Sequence, residues 1–276
     1  MKPGGHFAGV LGWPLDHTLS PAIHNAAFRA VGLDWVYFAW PVAPEYLSAA
    51  IGGIRALGAM GANVTMPHKE AVLGLLDDVS GDAAAIGAVN TIQRYGDQLL
   101  GHNTDVDGFK EYLTGDAGVD PAGSSALVLG AGGAARAVVR ALADLRVSTI
   151  SIAARDPMKA AIVGAIASDL TEVERWDRAP ELATTADLIV NATPLGARDE
   201  DPLPGIRFRP GQFVVDLVYV PPTTSLVRRA RAAGASASNG LGMLVHQAAS
   251  SFRIWTGMDP SIEAMSAAAL RALRAI

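Results

Sequence analysis

Short apolar runs bounded by glycine or proline alternate along this chain with longer segments of helical period. The alternation is typical of a parallel sheet covered by helices, so we predict an α/β protein. In the first part of the chain we predict strands at His6–Gly12, Trp35–Val42, Gly61–Thr65, Ala88–Tyr95 and Gln98–Thr104. Helices are predicted between them at Pro21–Val31, Pro44–Leu57 and His68–Leu75.

The pattern of apolar and polar positions changes after Asp105. There we predict a helix at Val106–Leu113 followed by the polar connection "TGDAGVDPAGS". A strand, "SALVLG", and a long alanine-rich helix come next. Further strands are predicted at Thr149–Arg155, Leu188–Thr193, Gln212–Tyr219 and Ala235–Gly240, with a final helical stretch from Leu241. We therefore predict a domain boundary near residue 105.

The composition of the chain restricts the class of molecule that it binds. The chain has 276 residues, half of them hydrophobic, and a net charge of −5 with its 22 Lys and Arg residues scattered. These values exclude a disordered chain and argue against nucleic acid, which leaves a small-molecule partner. Cysteine is absent, and neither a signal-peptide core nor an apolar run of about 20 residues occurs, so we expect a cytoplasmic protein without membrane partners.

The stretch "SALVLGAGGAARAVVRAL" predicts a dinucleotide site, because Gly130, Gly132 and Gly133 permit a tight turn from strand to helix. Ala135 stands where the third glycine of the fingerprint is usual. At the end of the next strand, Arg155 suits the 2′-phosphate of NADP or stacking on adenine, whereas Asp156 suits the free ribose of NAD. We predict NADP, with NAD as the alternative.

Polar side chains follow several predicted strands of the first part. They are Thr18, Ser20, His24 and Asn25; Asn63, Thr65 and Lys69; Asn90 and Thr91; and Asn103, Thr104 and Asp105. Because ligands bind at the carboxyl ends of strands in open α/β sheets, we expect these groups at one rim. Neutral hydroxyls and amides suit a polyhydroxylated acid or ring. Lys69 and Asp105 are the one charge pair, which predicts proton transfer during reversible ketone reduction.

Each of these residues also has a structural interpretation. Ser20, Thr65 and Asp105 could cap helices, and Lys69 beside Glu70 could lie on a solvated helix face. His24 is expected to pack behind the first loop and to hydrogen-bond backbone. The histidines lack metal-ligand spacing and a carboxylate set, so we predict no metal site.

Eight motifs in order resemble the shikimate dehydrogenase family, which also includes quinate dehydrogenases. They are "GWPLDHTLSPAIHN", "GANVTMPHKE", "GAVNT", "GHNTD", "GAGGAAR", "NATPLG", "DLVY" and "GLGMLVHQAA". The resemblance implies reversible NADPH-dependent reduction of 3-dehydroshikimate to shikimate, a step toward chorismate and the aromatic amino acids. It also implies an α/β substrate domain with a mainly parallel sheet, residues 1–105 completed by 241–276, and a Rossmann-like NADP domain, residues 106–240, flanking a cleft.

The resemblance implies a role for each matched position. Lys69 and Asp105 become the catalytic pair, with Lys69 as the proton donor and acceptor. The residues expected to bind substrate are Thr18, Ser20, Asn63, Thr65, Lys69, Asn90, Asp105, Tyr219 and Gln247. Those expected to bind the cofactor are Gly130, Ala131, Gly132, Gly133, Ala134, Arg155, Asn191, Thr193, Leu217, Gly240 and Met243.

Two positions depart from the family pattern. Ala154 and Asp156 flank Arg155 where Asn-Arg-Thr is common, which removes two polar partners of a 2′-phosphate and adds a carboxylate. Thr18 replaces a serine, so a methyl group narrows the substrate pocket. The close alternative is therefore a quinate-using or NAD-using paralogue. An alternative from another class is a non-catalytic sensor that binds a pathway intermediate in the same pocket. We expect a monomer or homodimer.

Overall fold

A computed structural model describes residues 5–198 and 200–276 and divides the chain into two compact units. The first unit comprises Met1–Gly108 and Val245–Ile276, and the second comprises Phe109–Leu244. Both boundaries fall inside helices, a few residues beyond the predicted boundaries at 105/106 and 240/241.

The strands of the described residues form two six-stranded sheets. They are β1 His6–Gly12, β2 Trp35–Pro41, β3 Gly61–Val64, β4 Asp78–Val79, β5 Thr91–Tyr95, β6 Gln98–His102, β7 Ser125–Leu129, β8 Thr149–Ala154, β9 Thr171–Arg175, β10 Leu188–Asn191, β11 Phe213–Asp216 and β12 Ser236–Asn239. The α-helices are α1 Ser20–Ala30, α2 Leu47–Leu57, α3 Gly81–Ile86, α4 Asp105–Glu111, α5 Gly133–Asp144, α6 Pro157–Gly164, α7 Ala179–Thr185, α8 Ser225–Ala232, α9 Leu241–Thr256 and α10 Ile262–Leu273.

The sheet of the first unit has the order β2-β1-β3-β5-β6-β4. Strands β1, β2 and β3 are parallel, whereas β5 runs antiparallel to both of its neighbours, β3 and β6. Side chains of four strands, Leu11, Val64, Ile92 and Leu99, form an apolar cluster with Ile51 of α2. The mainly parallel α/β fold predicted for this part is confirmed.

The sheet of the second unit is wholly parallel, with the order β12-β11-β10-β7-β8-β9. Read from β9, this is the order 3-2-1-4-5-6 of dinucleotide-binding folds, whose ligands bind where the direction of winding reverses, between β7 and β10. The central strand β10 is buried on both faces, which accounts for the unbroken apolar run before Asn191. The predicted Rossmann-like domain is confirmed.

The predicted helix at His68–Leu75 is wrong. This segment consists of turns with a short 3₁₀ helix at Leu73–Leu75. The Lys69 carbonyl accepts a hydrogen bond from the Val89 N–H, so it does not accept the bond from Leu73 that an α-helix would require. The sequence patterns also missed α3, the two-residue β4 and the edge strand β9.

Candidate active site

The centre of the site in the first unit is an ion pair between Lys69 and Asp105. Lys69 Nζ lies 2.5 Å from Asp105 Oδ2, and the two side chains are 19% and 7% exposed. Lys69 stands in the turn after β3, and Asp105 is the first residue of α4. Because the pair is largely shielded from water, the two charges interact more strongly than they would at the surface. The structure thus brings together the two charges that the sequence pattern paired.

Asn90 holds the other oxygen of the carboxylate. Its side-chain amide donates to Asp105 Oδ1 at 2.8 Å, and its side-chain oxygen accepts from the Thr104 backbone N–H at 2.7 Å. A backbone N–H only donates, so the contact with Thr104 fixes which end of the carboxamide faces Asp105. Each oxygen of Asp105 therefore has a donor, and the carboxylate is held in one orientation.

Asn90 reaches this rim in a way that differs from the prediction. We placed Asn90 and Thr91 at the carboxyl end of a strand, but β5 begins at Thr91 and is antiparallel to its neighbours. Thr91 pairs in register with Asn63 of β3 and with His102 of β6. The amino end of β5 therefore meets the carboxyl ends of β3 and β6, which brings Asn90 beside Asp105.

Helix α9 adds Gln247 to the same cluster. Gln247 is buried, and its Oε1 lies 3.5 Å from the Asn90 amide. The helix approaches α4 closely at Gly108, where a Cβ atom would lie 2.7 Å from both the backbone nitrogen and the Cβ of Gln247. Glycine at position 108 thus allows the C-terminal segment to bring a buried amide next to Asn90. The contact of Gln247 with substrate that the family resemblance implies stays a prediction.

Thr18 and Thr65 lie in the loops after β1 and β3, and Ser20 is the first residue of α1, which follows the first of these loops. The two loops approach each other at Gly12, because a Cβ atom there would collide with the Thr65 methyl group. The Ser20 N–H donates to Thr18 Oγ1 at 3.4 Å, and no side chain caps the start of α1. The alternative in which the Ser20 hydroxyl caps a helix is therefore wrong.

The side chain of Asn63 makes its hydrogen bonds to other residues of the protein. Its side-chain oxygen accepts from the Tyr37 hydroxyl at 2.6 Å, and its amide lies 3.1 Å from Thr91 Oγ1 and 2.9 Å from Ser251 Oγ. Both ends of the carboxamide are used, and the residue is 6% exposed. This geometry makes Asn63 a residue that ties strands together and gives no support to its predicted contact with substrate.

The prediction that His24 hydrogen-bonds the backbone is wrong. The ring stacks on Tyr37, with centroids 4.3 Å apart and planes inclined by 11°, and neither ring nitrogen has a hydrogen-bond partner among the described residues. Burial lowers the pKa of His24 to about 3, with a smaller opposing effect from Asn63. His24 is therefore a neutral ring of the aromatic core, which also includes Trp255.

The glycine-rich turn of the second unit joins β7 to α5. Gly130 has a φ of +108°, and a Cβ atom there would lie 2.9 Å from Thr193 Cγ2. Gly132 precedes α5, and no side chain caps the first N–H groups of that helix. Uncapped N–H groups beside a glycine turn are the donors that a pyrophosphate requires. The turn contains the predicted cofactor residues Gly130, Ala131, Gly132, Gly133 and Ala134.

Asp156 has a structural partner that the sequence did not reveal. Its Oδ1 accepts from the backbone N–H groups of Met158 and Lys159 at 3.0 and 3.1 Å, which makes Asp156 the N-cap of α6. Arg155 immediately precedes it and is exposed at the end of β8. The guanidinium is thus accessible to an anionic ligand, while one carboxylate oxygen of Asp156 is held by the helix.

Asn191 and Thr193 belong to a polar network at the end of β10. The Asn191 amide donates to Asp216 Oδ1 at 2.8 Å and to the Leu195 carbonyl at 2.9 Å, while the Thr193 hydroxyl donates to Asn191 Oδ1 at 2.6 Å. Burial raises the pKa of Asp216, and hydrogen bonds from Thr224 and Asn191 act in the opposite direction. The network fixes the shape of the loop at the switch point of this sheet.

The remaining predicted residues also lie in the second unit. The Leu217 N–H donates to the Asn191 carbonyl at 2.9 Å, and Gly240 approaches Leu217 so closely that a Cβ atom would collide with its carbonyl oxygen. Met243 is buried in the first turn of α9, and burial raises the pKa of Tyr219. The contacts of these residues with ligands, including that of Tyr219 with substrate, stay predictions.

Sequence reasoning missed Ser251, which is fully buried and contacts Asn63 and Thr91. Within residues 5–198 and 200–276, no cluster of three or more His, Asp or Glu side chains is arranged to hold a metal ion. The same part of the chain contains no helix both long and apolar enough to cross a membrane.

Two family models match the chain. The shikimate dehydrogenase substrate binding domain matches residues 10–92, and the shikimate 5′-dehydrogenase C-terminal domain matches residues 240–270. Among curated relatives, the shikimate dehydrogenase (NADP(+)) of Methanothermobacter thermautotrophicus is 45% identical over 276 residues, covering 97% of each chain.

Solved structures agree with this assignment. Shikimate 5-dehydrogenase from Thermus thermophilus in complex with NADP(H) and shikimate superimposes with a TM-score of 0.87 at 39% identity, covering 97% of this chain and 99% of that one. Quinate dehydrogenase from Corynebacterium glutamicum in complex with NAD gives a TM-score of 0.88 at 31% identity, covering 97% and 99%. The fold, the buried lysine–aspartate pair and the full-length similarity together show that this chain belongs to the shikimate dehydrogenase family.

Proposed function

We propose that this chain is an NADP-dependent shikimate dehydrogenase, which interconverts shikimate and 3-dehydroshikimate. The observation that carries the proposal is the largely shielded Lys69–Asp105 pair with Asn90 on the second carboxylate oxygen. The similarity to NADP-dependent shikimate dehydrogenases over nearly the whole chain supports the same reaction. The proposed roles of the units are substrate binding in the first and cofactor binding in the second.

Lys69 is the proton-transfer group in this proposal. During oxidation, the neutral amine form of Lys69 accepts the proton of the substrate hydroxyl and becomes the ammonium, while the carbon that bears the hydroxyl loses a hydride and a ketone results. In the reverse direction the ammonium returns the proton to the developing alkoxide. The Asp105 carboxylate holds Lys69 at the reacting oxygen in both directions, and Asn90 keeps that carboxylate from turning away.

The groups around this pair suit a ring that carries hydroxyls and a carboxylate. Thr18 and Thr65 supply hydroxyls from two adjacent loops, Ser20 supplies one from the start of α1, and Gln247 supplies an amide from α9. Neutral donors and acceptors of this kind each satisfy one oxygen of a polyhydroxylated ligand. The extra methyl group of Thr18 is proposed to favour shikimate over the bulkier quinate.

The second unit fits a dinucleotide at the glycine turn, where the first N–H groups of α5 lack a side-chain cap. When bound, NADP accepts or supplies the hydride. Arg155 is the proposed partner of the 2′-phosphate, because it is exposed and the geometry of a guanidinium group suits paired hydrogen bonds to a phosphate. Asp156 binds the first N–H groups of α6, so Arg155 is the residue proposed to bind the 2′-phosphate. The carboxylate of Asp156 nevertheless keeps a negative charge near that site.

Steady-state assays with four combinations test the proposal: shikimate or quinate with NADP⁺ or NAD⁺, followed by the absorbance of the reduced nicotinamide. We expect the highest kcat/KM with shikimate and NADP⁺. A higher value with quinate or NAD⁺ would identify the paralogue alternative. Binding of shikimate without turnover in any combination would identify a sensor and overturn the proposed function.

A cytoplasmic location and a monomeric or homodimeric state are also proposed. The absence of cysteine and the cofactor-linked biosynthetic reaction support the location. Cell fractionation tests the first proposal, and sedimentation of the purified protein tests the second. Recovery in a membrane or secreted fraction, or a larger assembly, would contradict them.

A further inference from the structure

Ser251 has more hydrogen-bond partners than a serine in a helix requires. It lies in α9, four residues after Gln247, and is fully buried. Its hydroxyl lies 3.0 Å from the Gln247 carbonyl, a contact that would by itself satisfy a serine in a helix. Three further polar atoms surround the same oxygen: Asn63 Nδ2 at 2.9 Å, Thr91 Oγ1 at 2.8 Å and Thr104 Oγ1 at 3.2 Å.

All three of these partners also contact Asn90. The Asn63 amide lies 3.2 Å from the Asn90 carbonyl, and Thr91 Oγ1 donates to Asn90 Oδ1 at 3.1 Å. Thr104 Oγ1 lies 2.9 Å from Asn90 Nδ2. Ser251 is therefore joined by hydrogen bonds to three residues that contact Asn90, two of which, Thr91 and Thr104, contact its carboxamide.

We propose that Ser251 is a positioning residue for the Lys69–Asp105 pair, an inference that rests on the proposed function. The Asn63 amide can only donate, so the Ser251 oxygen must accept from it, and its single proton goes to one of the remaining acceptors. This ordered network holds the hydroxyls of Thr91 and Thr104 in place, and these hydroxyls support the carboxamide of Asn90, whose end facing Asp105 is set by the Thr104 backbone N–H. A buried network that is fully satisfied is rigid, whereas one that loses its central hydroxyl has several arrangements.

The test compares Ser251→Ala with Ser250→Ala, the neighbouring serine that is partly exposed and has no place in the network. Loss of the Ser251 hydroxyl should lower kcat for shikimate oxidation about tenfold, the factor that corresponds to one hydrogen bond, while KM for NADP⁺ stays within about twofold. Ser250→Ala should match the wild type. Equal kcat values for the two variants would overturn the proposal.

A second pair keeps the test decisive if Ser251→Ala does not fold. Thr91→Val preserves the shape of the side chain but removes the hydroxyl, whereas Thr91→Ser keeps the hydroxyl. We expect Thr91→Val to lose about tenfold in kcat and Thr91→Ser to recover most of that loss. Equal kcat values in Thr91→Val and Thr91→Ser would overturn the proposal, since the network acts through the hydroxyl.

A measurement without substrate separates this proposal from the proposed function. The side-chain amide signals of Asn90 in ¹⁵N-labelled protein report its hydrogen bonds directly. They should shift and broaden in Ser251→Ala or Thr91→Val but not in Ser250→Ala. An inactive wild type would overturn the proposed function alone, whereas unchanged Asn90 signals in Ser251→Ala and Thr91→Val would overturn the positioning role.

Discussion

Replacement of Asp105 by asparagine is the sharpest perturbation of the proposed proton-transfer pair. The variant keeps the size of the side chain but removes its charge, and it places an amide where one of two donors now points. Lys69 loses the oxygen that lies 2.5 Å from its Nζ, or Asn90 loses the oxygen that accepts at 2.8 Å. Either arrangement leaves a donor of the site without its charged acceptor.

The structure sets the size of the expected effect. A hydrogen bond to a charged group is worth about 1.5–3 kcal/mol, and breaking a buried ion pair costs about 3–5 kcal/mol. Lys69 retains 19% exposure, so water partly replaces the lost partner of its ammonium group and the lower end of the range for an ion pair applies. A loss of about 3 kcal/mol in transition-state stabilisation corresponds to a decrease in kcat/KM of roughly 100-fold.

The assay is shikimate oxidation at saturating NADP⁺, with kcat and KM determined for wild type, Asp105→Asn and Asp107→Asn. Asp107 is exposed in the same first turn of α4 and serves as the matched control. Asp105→Asn should lose about two orders of magnitude in kcat/KM, while Asp107→Asn should stay within about threefold of the wild type. A folded Asp105→Asn variant with wild-type kcat/KM would refute the role of the carboxylate.

Two further predictions concern the cofactor and stability. Asparagine also caps helices, so Asp156→Asn should keep α6 intact while it removes the negative charge beside Arg155. The ratio of kcat/KM for NADP⁺ to kcat/KM for NAD⁺ should then rise about two- to fivefold. An unchanged ratio would mean that the carboxylate lies away from the 2′-phosphate. His24 has a pKa of about 3 in the folded protein against 6.5 when unfolded, so the unfolded state binds the proton between these values and stability falls as the pH falls below about 6.5. His24 should therefore cost about 2 kcal/mol at pH 5, and His24→Phe should reduce this pH dependence of the free energy of unfolding in urea, whereas an unchanged slope would contradict the assignment.

Much of the fold follows from local pattern. The parallel sheet of the second unit was predictable because its central strands are buried on both faces and read as unbroken apolar runs. Strand β9 was missed because Thr171–Arg175 is an edge strand in which charged residues alternate with small or apolar ones. The error at His68–Leu75 arose because the Lys69 carbonyl bonds to Val89, a contact that no local periodicity reveals.

The residues of the candidate site were also predictable in part from the sequence. Lys69, Asn90 and Asp105 were found because polar groups at strand ends converge, although the antiparallel direction of β5 was not foreseen. The N-cap role of Asp156 escaped notice because the adjacent Arg155 suggested a ligand for both residues. Ser251 was invisible because its partners are distant in sequence, and only the packing of α9 brings them together.

The proposed function depends on transfer by Lys69 of the proton that accompanies hydride transfer between shikimate and NADP. Its most direct test is the single-turnover rate of shikimate oxidation in Lys69→Ala, with NADPH binding measured by fluorescence and Lys110→Ala as the control, since Lys110 pairs with Asp144 at the surface. Lys69→Ala should lose most of this rate and bind NADPH as tightly as the wild type does. A Lys69→Ala variant that oxidises shikimate at the wild-type rate would contradict the proton-transfer role of Lys69.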